Sequence, residues 1–523
     1  MGRILVTSLI AGMLLAAGQP SGAQGAEAAR KGAMDAPSHS SLRYANPLSV
    51  DDSIGMGDPT VLRFKDTYYL YATGGTENEA WSSPDLVHWT HHSAQLSPPA
   101  AVVAPDVFEY QGSLYLTGND LGLYRSSSPL GPWQYIGDFK DQDGTKILPF
   151  DPMVMVDADG RAYLYYSGRS SNGIYGVELS RGDLTKFAGP VQHLFKFEKS
   201  HVWERYGTYN EYSEVSWIEG PWMTRHKGTY YLQYSAAGTD WPTYAVGVYT
   251  SSKPLGPFTY DPRSPILRHK DGLITGTGHH CVVEGPDGQL WAFYTIVYHA
   301  WNRMADVDRR IGMDRVGFDK EGKMFIAGPT ETPQSAPGVK SPPHAAEAIP
   351  LSVDAAYKVS SEAPGRSAPY AFDDSTKTWW EPATTDKHPW LMLDLGAATD
   401  LDPLQEFTVN SARILFSLPP LRRRDLPALT GVYRYKIEVS RDGENFKTVV
   451  DRSQNKNLET TPFDEIDPVV CRYVRLTISD WPKDLPLGII EFTVFGQPVE
   501  DTKPRKRPPE ENRRVVDTIS PDR

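Results

Sequence analysis

The 523-residue chain has only two cysteines, Cys281 and Cys471, and neither lies near the N-terminus. We therefore expect two buried thiols, with an interdomain disulfide as the alternative, and no lipid anchor on an N-terminal cysteine. An excess of basic residues is also missing, because the formal net charge is −12. A nucleic-acid partner would require a basic surface, so we expect none. One long apolar run is present, at residues 4–17, and it is too short to span a membrane as a helix.

That apolar run follows Arg3 and precedes small residues around Ala23, which is the pattern of a secretory signal peptide. We therefore expect residues 1–23 to direct export to the periplasm or the extracellular space. The mature protein is expected to be a soluble monomer without a membrane anchor. Residues 24–44 are rich in Ala, Gly, Ser and Lys, and residues 500–523 are charged and poor in apolar side chains. Both compositions predict disorder.

The chain is rich in a repeated strand–turn–strand unit, whose clearest copy covers residues 150–167. An acidic residue and a proline come first, followed by a β-rich run, Asp159-Gly160, and a second run rich in tyrosine. Asp-Gly between two such runs predicts a hairpin, because the glycine supplies the positive φ that the turn needs. Proline cannot donate a ladder hydrogen bond, so it places the preceding acidic residue at the strand end.

Five copies of this unit recur at steps of about fifty residues or slightly more, which is typical of a β-propeller with one sheet per repeat. The sequence therefore predicts a five-bladed propeller over residues 45–332. Equivalent positions surround one axis in a propeller, so the leading residues should line a single funnel. Because buried charge is costly, such a cluster indicates an active site rather than a core. The leading residues are Asp58, Asp106, Asp151, Glu219 and His279.

The composition and the hydrophobic pattern of the sequence change after the propeller. Residues 333–350 are rich in proline and are predicted to be a linker. Residues 351–499 contain short alternating strands without helical periodicity, which predicts a β-sandwich. The expected architecture is thus all-β, with a five-bladed propeller followed by a sandwich.

The propeller motifs resemble those of glycoside hydrolase family 43, the five-bladed α-L-arabinofuranosidases and β-xylosidases. The resemblance implies that Asp58 is a general base, Glu219 a general acid, and Asp151 the residue that orients Glu219 and raises its pKa. No cofactor is then needed in the chemical step. An inverting glycosidase requires this division between a proton donor and a water-activating carboxylate, and a nearby like charge raises a carboxyl pKa. The matching motifs are Gly57-Asp58-Pro59, Phe150-Asp151-Pro152, Glu219-Gly220-Pro221 and Gly276-Thr277-Gly278-His279.

The same resemblance assigns roles outside the carboxylates. Arg309 matches an arginine that contacts substrate, with a surface ion pair as the alternative. His279 matches a histidine beside a central calcium, with a purely structural role as the alternative. Trp222 and Trp241 are candidate sugar platforms or ordinary packing residues.

One departure from the family pattern precedes Asp106, where Val103 stands in place of the usual tryptophan. Asp106 itself has either a pocket role or a structural one. Because this aromatic side chain is missing, the sequence does not decide which terminal sugar is recognised: arabinofuranose, xylopyranose, or galactofuranose or galactose. Loops such as those at residues 76–80, 196–212 and 298–308 are expected to determine which sugar is bound. Whether the enzyme acts in exo or endo mode depends on whether loops block one end of the funnel.

The C-terminal segment resembles the discoidin (coagulation factor 5/8 C-terminal) fold and carbohydrate-binding module family 32. The resemblance implies a jelly-roll sandwich that binds sugar and holds a structural calcium. Asp373, Thr378 and Glu491 match the calcium ligands, while Ser375 stands where a second aspartate is expected. Such oxygen ligands suit a hard cation. The motifs include Thr378-Trp379-Trp380 and Ile490-Glu491-Phe492.

Together these features predict an exported, inverting glycosidase that removes terminal arabinofuranosyl or xylosyl, or galactosyl-type, residues from plant polysaccharides or oligosaccharides. An endo-acting hydrolase is one alternative. A fructan-acting propeller with a nucleophilic aspartate is another, although its usual Arg-Asp-Pro and Glu-Cys motifs are replaced here by Phe150-Asp151-Pro152 and Glu219-Gly220. A non-catalytic carbohydrate-binding propeller would predict a missing carboxylate, whereas all three are present.

Overall fold

The computed structural model describes residues 43–50, 55–74, 79–100, 102–297, 309–339, 348–353, 355–398, 405–417, 430–483 and 485–499. Segments outside this set include the predicted signal peptide, the C-terminal tail, residues 298–308 and residues 418–429. The helices in the described residues are short 3-10 turns, and none is long and apolar enough to cross a membrane. They cover Ser170–Asn172, Val202–Glu204, Ala368–Ala371 and Leu395–Ala398.

Five mainly antiparallel sheets follow one another along the first part of the chain and confirm the five-bladed propeller. The predicted hairpin forms the innermost two strands of every blade. The strands are Gly57–Phe64, Thr67–Thr73, Glu79–Ser83 and Thr90–Ser93 in blade 1; Leu96–Ser97, Asp106–Tyr110, Ser113–Thr117, Leu123–Ser126 and Trp133–Gly137 in blade 2; Phe139–Lys140, Lys146–Ile147, Phe150–Val156, Ala162–Ser167, Ile174–Ser180, Asp183–Phe187 and Gln192–Phe195 in blade 3; Glu219–His226, Thr229–Ala236, Ala245–Ser251 and Thr259–Tyr260 in blade 4; and Gly278–Glu284, Leu290–Val297, Arg309–Phe318 and Met324–Ile326 in blade 5.

The core of the propeller lies between neighbouring blades, because the strands present apolar side chains on both faces. Met153 and Tyr165 of blade 3, for example, pack with Leu232 and Ala245 of blade 4. This packing fixes the positions of the innermost strands around the axis, and with them the residues at the strand ends.

The N-terminal strand Arg43–Tyr44 pairs with Gln334–Ser335, just after the last blade. Tyr44 also donates a hydrogen bond from its hydroxyl to the backbone oxygen of Met313 in blade 5 (2.9 Å). The propeller domain therefore extends slightly beyond the predicted 45–332, into the predicted lead and linker. The reason is that these two segments satisfy each other's backbone hydrogen-bonding groups.

Two sheets face each other in the C-terminal domain, which confirms the predicted sandwich. Side chains such as Trp380, Ile414 and Leu476 fill the space between them. Cys281 and Cys471 are free and buried, one in each domain, so no interdomain disulfide forms. One sheet has the order Ile349–Pro350, Ile489–Pro498, Phe407–Phe416, Phe463–Cys471, and the other Ala356–Val359, Trp390–Asp394, Tyr473–Asp480, Arg434–Ser440, Lys447–Asp451.

The sandwich packs directly on the propeller. Trp379, Leu415 and Ile490 belong to the same apolar cluster as Ile274 and Ile296 of the propeller. This shared core means that the two domains are not merely tethered by the proline-rich segment.

Candidate active site

The innermost strands of blades 1, 3, 4 and 5 each begin with a break in pairing register next to a residue of positive φ. These residues are Asp58 (φ 52°), Asp151 (49°), Gly220 (55°) and His279 (39°). A bulge of this kind changes the direction in which a nearby side chain points. Non-glycine residues rarely adopt positive φ, and such strain clusters at functional sites. Its recurrence in four blades marks this end of the propeller as the site.

Gly220, and not Glu219, has the backbone position that corresponds to Asp58 and Asp151. All three residues have φ close to 50° (55, 52 and 49°) and precede a proline. A Cβ on Gly220 would lie only 3.1 Å from Cγ of His279, so there is little room for a side chain. Blade 4 therefore supplies its carboxyl group from one residue upstream, on the longer side chain of Glu219.

Asp58 is held as a carboxylate. One guanidinium nitrogen of Arg309 lies 2.8 and 2.9 Å from its two oxygens, and Nδ1 of His279 lies 3.3 Å from Oδ1. Burial would raise the pKa of Asp58, but Arg309, His279 and a hydrogen bond from Thr73 together lower it. Arg309 is 7% exposed, so its alternative role in a surface ion pair is excluded. A Cβ at Gly57 would lie 2.7 Å from the Arg309 guanidinium carbon, so this glycine makes room for the contact.

Glu219 has the opposite electrostatic environment. Burial, followed by the negative charge of Asp151, raises the pKa of Glu219 well above its usual range, and Asp58 adds to the effect. Hydrogen bonds from Tyr244 and Trp217 oppose this rise only in part. The Tyr244 hydroxyl donates to Oε1 at 2.7 Å. Glu219 is therefore a protonated acid under conditions in which Asp58 is ionised.

Asp151 contacts both His279 and the backbone next to Glu219. Its Oδ2 accepts a hydrogen bond from the backbone N–H of Gly220 (3.2 Å) and lies 3.6 Å from Nδ1 of His279. Its own N–H donates to the side-chain oxygen of Asn119 (2.5 Å). Burial and the charge of Asp58 raise the pKa of Asp151, while His279 opposes them. The predicted residues Asp58, Asp151 and His279 are thus in direct contact.

Asp106 occupies a different position from the other leading residues. The counterpart of Asp58 in blade 2 is Ala104, which has a φ of 47° and precedes Pro105. The Asp106 carboxylate accepts a hydrogen bond from the backbone N–H of Val154 in blade 3 (2.8 Å), and burial raises its pKa to about 7. Of its two expected roles, the structure supports the structural one. Asp106 links two blades and is not the counterpart of Asp58.

The two candidate tryptophans have different environments. Trp222 is half-buried and packs against the apolar clusters of blades 1 and 5 and of blades 3 and 4, which is the packing alternative. Trp241 is half-buried between Tyr206 and Tyr212, with ring centroids 6.0 Å apart in both pairs. Only Trp241 therefore belongs to a group of aromatic residues that reaches the surface.

The calcium that the resemblance places beside His279 is coordinated by water, so it does not need three protein side chains as ligands. Nδ1 of His279 faces the carboxylates of Asp58 and Asp151. Across the described residues, no three His, Cys, Asp or Glu side chains are arranged to hold a metal. We derive no step through a metal at this position.

The predicted ligands in the sandwich do lie together. Thr378 donates to the Asp373 carboxylate (2.8 Å), and the N–H of Asp374 donates to Oε2 of Glu491 (3.2 Å). Glu491 is fully buried, and its Oε1 has no hydrogen-bond partner among the described residues. Asp373, Thr378 and Glu491 offer oxygen donors of the kind that a hard cation prefers, but they are not a set of three acidic side chains arranged around one position.

Sequence reasoning missed Tyr244, Trp217 and Asn119, which bond to Glu219 or Asp151. They lie outside the repeated motif and reach the site only through the packing of the blades. In a chain with 28 tyrosines and 13 tryptophans, residue type alone gives no signal.

Comparison with known proteins agrees with this geometry. Residues 45–324, which contain all three carboxylates, match the family described as "Glycosyl hydrolases family 43". The chain belongs to this family. It is therefore a glycoside hydrolase that acts on O-glycosyl bonds. Residues 370–476 match a second family, described as "NedA-like, galactose-binding domain".

Several relatives of the family 43 domain are known. A beta-D-galactofuranosidase of Aspergillus niger is 30% identical over 51% of this chain and 81% of its own length. A xylosidase/arabinosidase of Humicola insolens is 29% identical over 53% of this chain and 98% of its own length. The chain spans about half (48%) of a xylosidase/arabinosidase of Butyrivibrio fibrisolvens. The crystal structure of a thermostable family-43 glycoside hydrolase is 29% identical, with a TM-score of 0.48, and is covered fully (100%) by 57% of this chain.

Proposed function

We propose that this enzyme is an inverting, exo-acting glycosidase that removes terminal α-L-arabinofuranosyl, β-D-xylosyl or galactofuranosyl residues from plant polysaccharides or oligosaccharides. The opposite electrostatic environments of Asp58 and Glu219 carry the proposal. Arg309 and His279 hold Asp58 ionised, whereas burial and Asp151 keep Glu219 protonated. The names of the relatives support this range of sugars.

Each carboxyl group then has one task. Asp58 takes a proton from water, whose oxygen forms a bond to the anomeric carbon. Glu219 gives its proton to the glycosidic oxygen as the bond between that oxygen and the anomeric carbon breaks. Asp151 keeps the pKa of Glu219 high and fixes the backbone beside it through Gly220. One general acid and one general base on opposite sides of the sugar give a product with inverted configuration.

The remaining parts of the proposal concern export, oligomeric state, carbohydrate binding by the second domain and a structural metal. The N-terminal apolar run supports export, and we propose a soluble monomer without a membrane anchor. The galactose-binding type of the second domain supports binding of carbohydrate there. The grouping of the oxygen donors of Asp373, Thr378 and Glu491 supports a structural calcium.

The test is a panel of nitrophenyl glycosides: α-L-arabinofuranoside, β-D-xyloside, β-D-galactofuranoside and β-D-galactoside. Wild type should turn over at least one of them. Glu219→Gln and Asp58→Asn should each lose about 10²- to 10⁴-fold in kcat, the usual contribution of general acid–base catalysis. Asp106→Asn is the matched control, since this buried carboxylate bonds only to the backbone of Val154 in the described contacts and should change kcat little.

The leaving group separates the two roles. A dinitrophenyl leaving group needs no proton, so Glu219→Gln should recover most of its activity with it, whereas Asp58→Asn should not. The configuration of the first product, read by proton NMR, should be inverted. A retained configuration, or a near-wild-type rate in either variant with a nitrophenyl substrate, would refute the assignment.

A further inference from the structure

Beside the general acid, a group of aromatic side chains leads away from the site. We call Tyr206, Tyr209, Tyr212 and Trp241 the aromatic platform. Tyr206 is its inner member, because its ring lies against Gly238 on the same side as Trp217, which bonds to Glu219. The backbone agrees with this placement. A Cβ at Gly238 would lie 3.1 Å from the ring of Tyr206 and 3.2 Å from Cβ of Trp217, the residue that bonds to Glu219.

The members of the platform range from half-buried to largely exposed. Tyr206 and Trp241 are half-buried, Tyr212 is 49% exposed and Tyr209 is 75% exposed. The ring of Trp241 lies 6.0 Å from the rings of both Tyr206 and Tyr212, measured between centroids. Large aromatic side chains grouped at a surface indicate a binding site. Tyr206 lies beside Trp217 across Gly238, and Trp217 bonds to Glu219.

The segment that carries the platform is fixed in place before any ligand binds. Asn210, which has a φ of 57° and is 4% exposed, donates to the backbone oxygen of Arg205 (2.7 Å). Arg268 donates to the side-chain oxygen of Asn210 (2.6 Å), and Thr243 donates to the backbone oxygen of Gly207 (2.8 Å). A preorganised surface loses little conformational entropy on binding, which favours affinity.

The polar groups around Tyr209 suit a carbohydrate. Nζ of Lys270 lies 5.5 Å from the centre of the Tyr209 ring, and the Glu211 carboxylate accepts the N–H of Tyr209 (2.8 Å). A sugar ring has an apolar face that can stack on an aromatic ring and hydroxyl groups that can bond at its edge. Tyrosine combines an apolar face with a polar tip in the same way.

We propose that the aromatic platform binds the leaving-group side of the substrate, namely the sugar units that remain on the polysaccharide or oligosaccharide after cleavage. This inference rests on the proposed function, because the general acid protonates the oxygen that joins the terminal sugar to those units. Trp217 connects the two sites, since it lies beside Tyr206 at Gly238 and bonds to Glu219. The platform therefore extends from the leaving oxygen. It selects substrates whose terminal sugar is attached to a chain of further sugars.

The experiment compares kcat/KM on a nitrophenyl glycoside with kcat/KM on an oligosaccharide that carries the same terminal sugar. In the Tyr209→Ala/Tyr212→Ala double variant, the oligosaccharide-to-nitrophenyl ratio should fall about tenfold, which corresponds to roughly 1.4 kcal/mol, mainly through KM. Tyr209→Phe/Tyr212→Phe keeps the ring faces and should retain most of the ratio. Tyr357→Ala, an exposed tyrosine of the sandwich (40% exposed), is the matched control.

A second measurement keeps the test decisive if the double variant folds poorly. In a Glu219→Gln background, Tyr209→Ala alone should weaken oligosaccharide binding severalfold by calorimetry. Removing a side chain that is 75% exposed leaves no cavity. An unchanged ratio, or an equal loss on both substrates, would overturn the platform while leaving the proposed function intact. A wild type that turns over neither substrate would overturn both.

Discussion

Arg309 places one guanidinium nitrogen 2.8 and 2.9 Å from the two carboxylate oxygens of Asp58. The two residues are 251 positions apart and belong to the last and the first blade. This contact joins the first and last blades at the residue that we propose as the catalytic base. The same ion pair therefore supports ring closure and keeps the base ionised.

Substituting Arg309 should move the acidic limb of the pH–rate profile. The base must be ionised, so activity is lost as pH falls through the pKa of Asp58. Burial raises that pKa and Arg309 opposes the rise. In Arg309→Gln the pKa of Asp58 should rise, and the loss of kcat/KM should begin at higher pH. Profiles of kcat/KM on a nitrophenyl glycoside measure this directly.

Arg315 provides the control for that experiment, because it lies on the same strand and is exposed. Arg315→Gln should leave the acidic limb unchanged. An acidic limb that stays in place in Arg309→Gln would mean that another group sets the ionisation of the base.

Asp151→Asn should move the basic limb to lower pH. The general acid must be protonated, so activity is lost as pH rises through the pKa of Glu219. After burial, the charge of Asp151 is the largest cause that raises this pKa. Asparagine keeps the shape but removes the charge, so the pKa of Glu219 falls and activity is lost earlier. A basic limb at the wild-type pH would contradict the assigned role of Asp151.

Tyr244→Phe should shift the same limb in the opposite direction. The Tyr244 hydroxyl donates to Oε1 of Glu219 (2.7 Å) and so stabilises the ionised form. Without that hydrogen bond the pKa of Glu219 rises, and activity should persist to higher pH. Opposite shifts in these two variants, recorded with one substrate, would identify the titrating group as Glu219. Shifts in the same direction would point to another residue.

The sequence allowed the hairpin repeat to be recognised, and the repeat predicted the propeller and the positions of Asp58, Asp151 and Glu219. It did not predict that Gly220 takes the equivalent position in blade 4 or that Ala104 does so in blade 2. Spacing along the chain identifies the strand, whereas the bulge that aims the side chain is a property of the folded backbone. Tyr244 was missed for a related reason, since its contact with Glu219 forms only when the blade is assembled.

Calcium should stabilise the sandwich domain through Asp373 and Glu491. The orphaned Oε1 of Glu491 gains a partner when a cation binds, and a ligand at about a hundred times its Kd adds about 2.7 kcal/mol to the free energy of unfolding. Differential scanning calorimetry should show a higher Tm with calcium than with a chelator. Glu491→Gln should abolish most of that difference. An equal response in wild type and variant would place the ion elsewhere.

Arg413 should contribute strongly to the stability of the two-domain protein. Its guanidinium is 1% exposed and donates to the backbone oxygens of Asn46 and Glu331 in the propeller and to Thr493 in the sandwich. In Arg413→Met these buried acceptors lose a charged donor, and a buried polar group left without its partner costs about 1 to 3 kcal/mol.

Arg475 offers a comparison, since it pairs with Glu438 on the five-stranded sheet of the sandwich and its side chain is 32% exposed. An ion pair of this kind contributes about 1 kcal/mol or less. Urea unfolding should therefore show a much larger loss for Arg413→Met than for Arg475→Met. Because Arg413 bonds to both the propeller and the sandwich, the loss should affect both domains together. If Arg413→Met lost no more stability than Arg475→Met, the domains would be held by apolar packing alone.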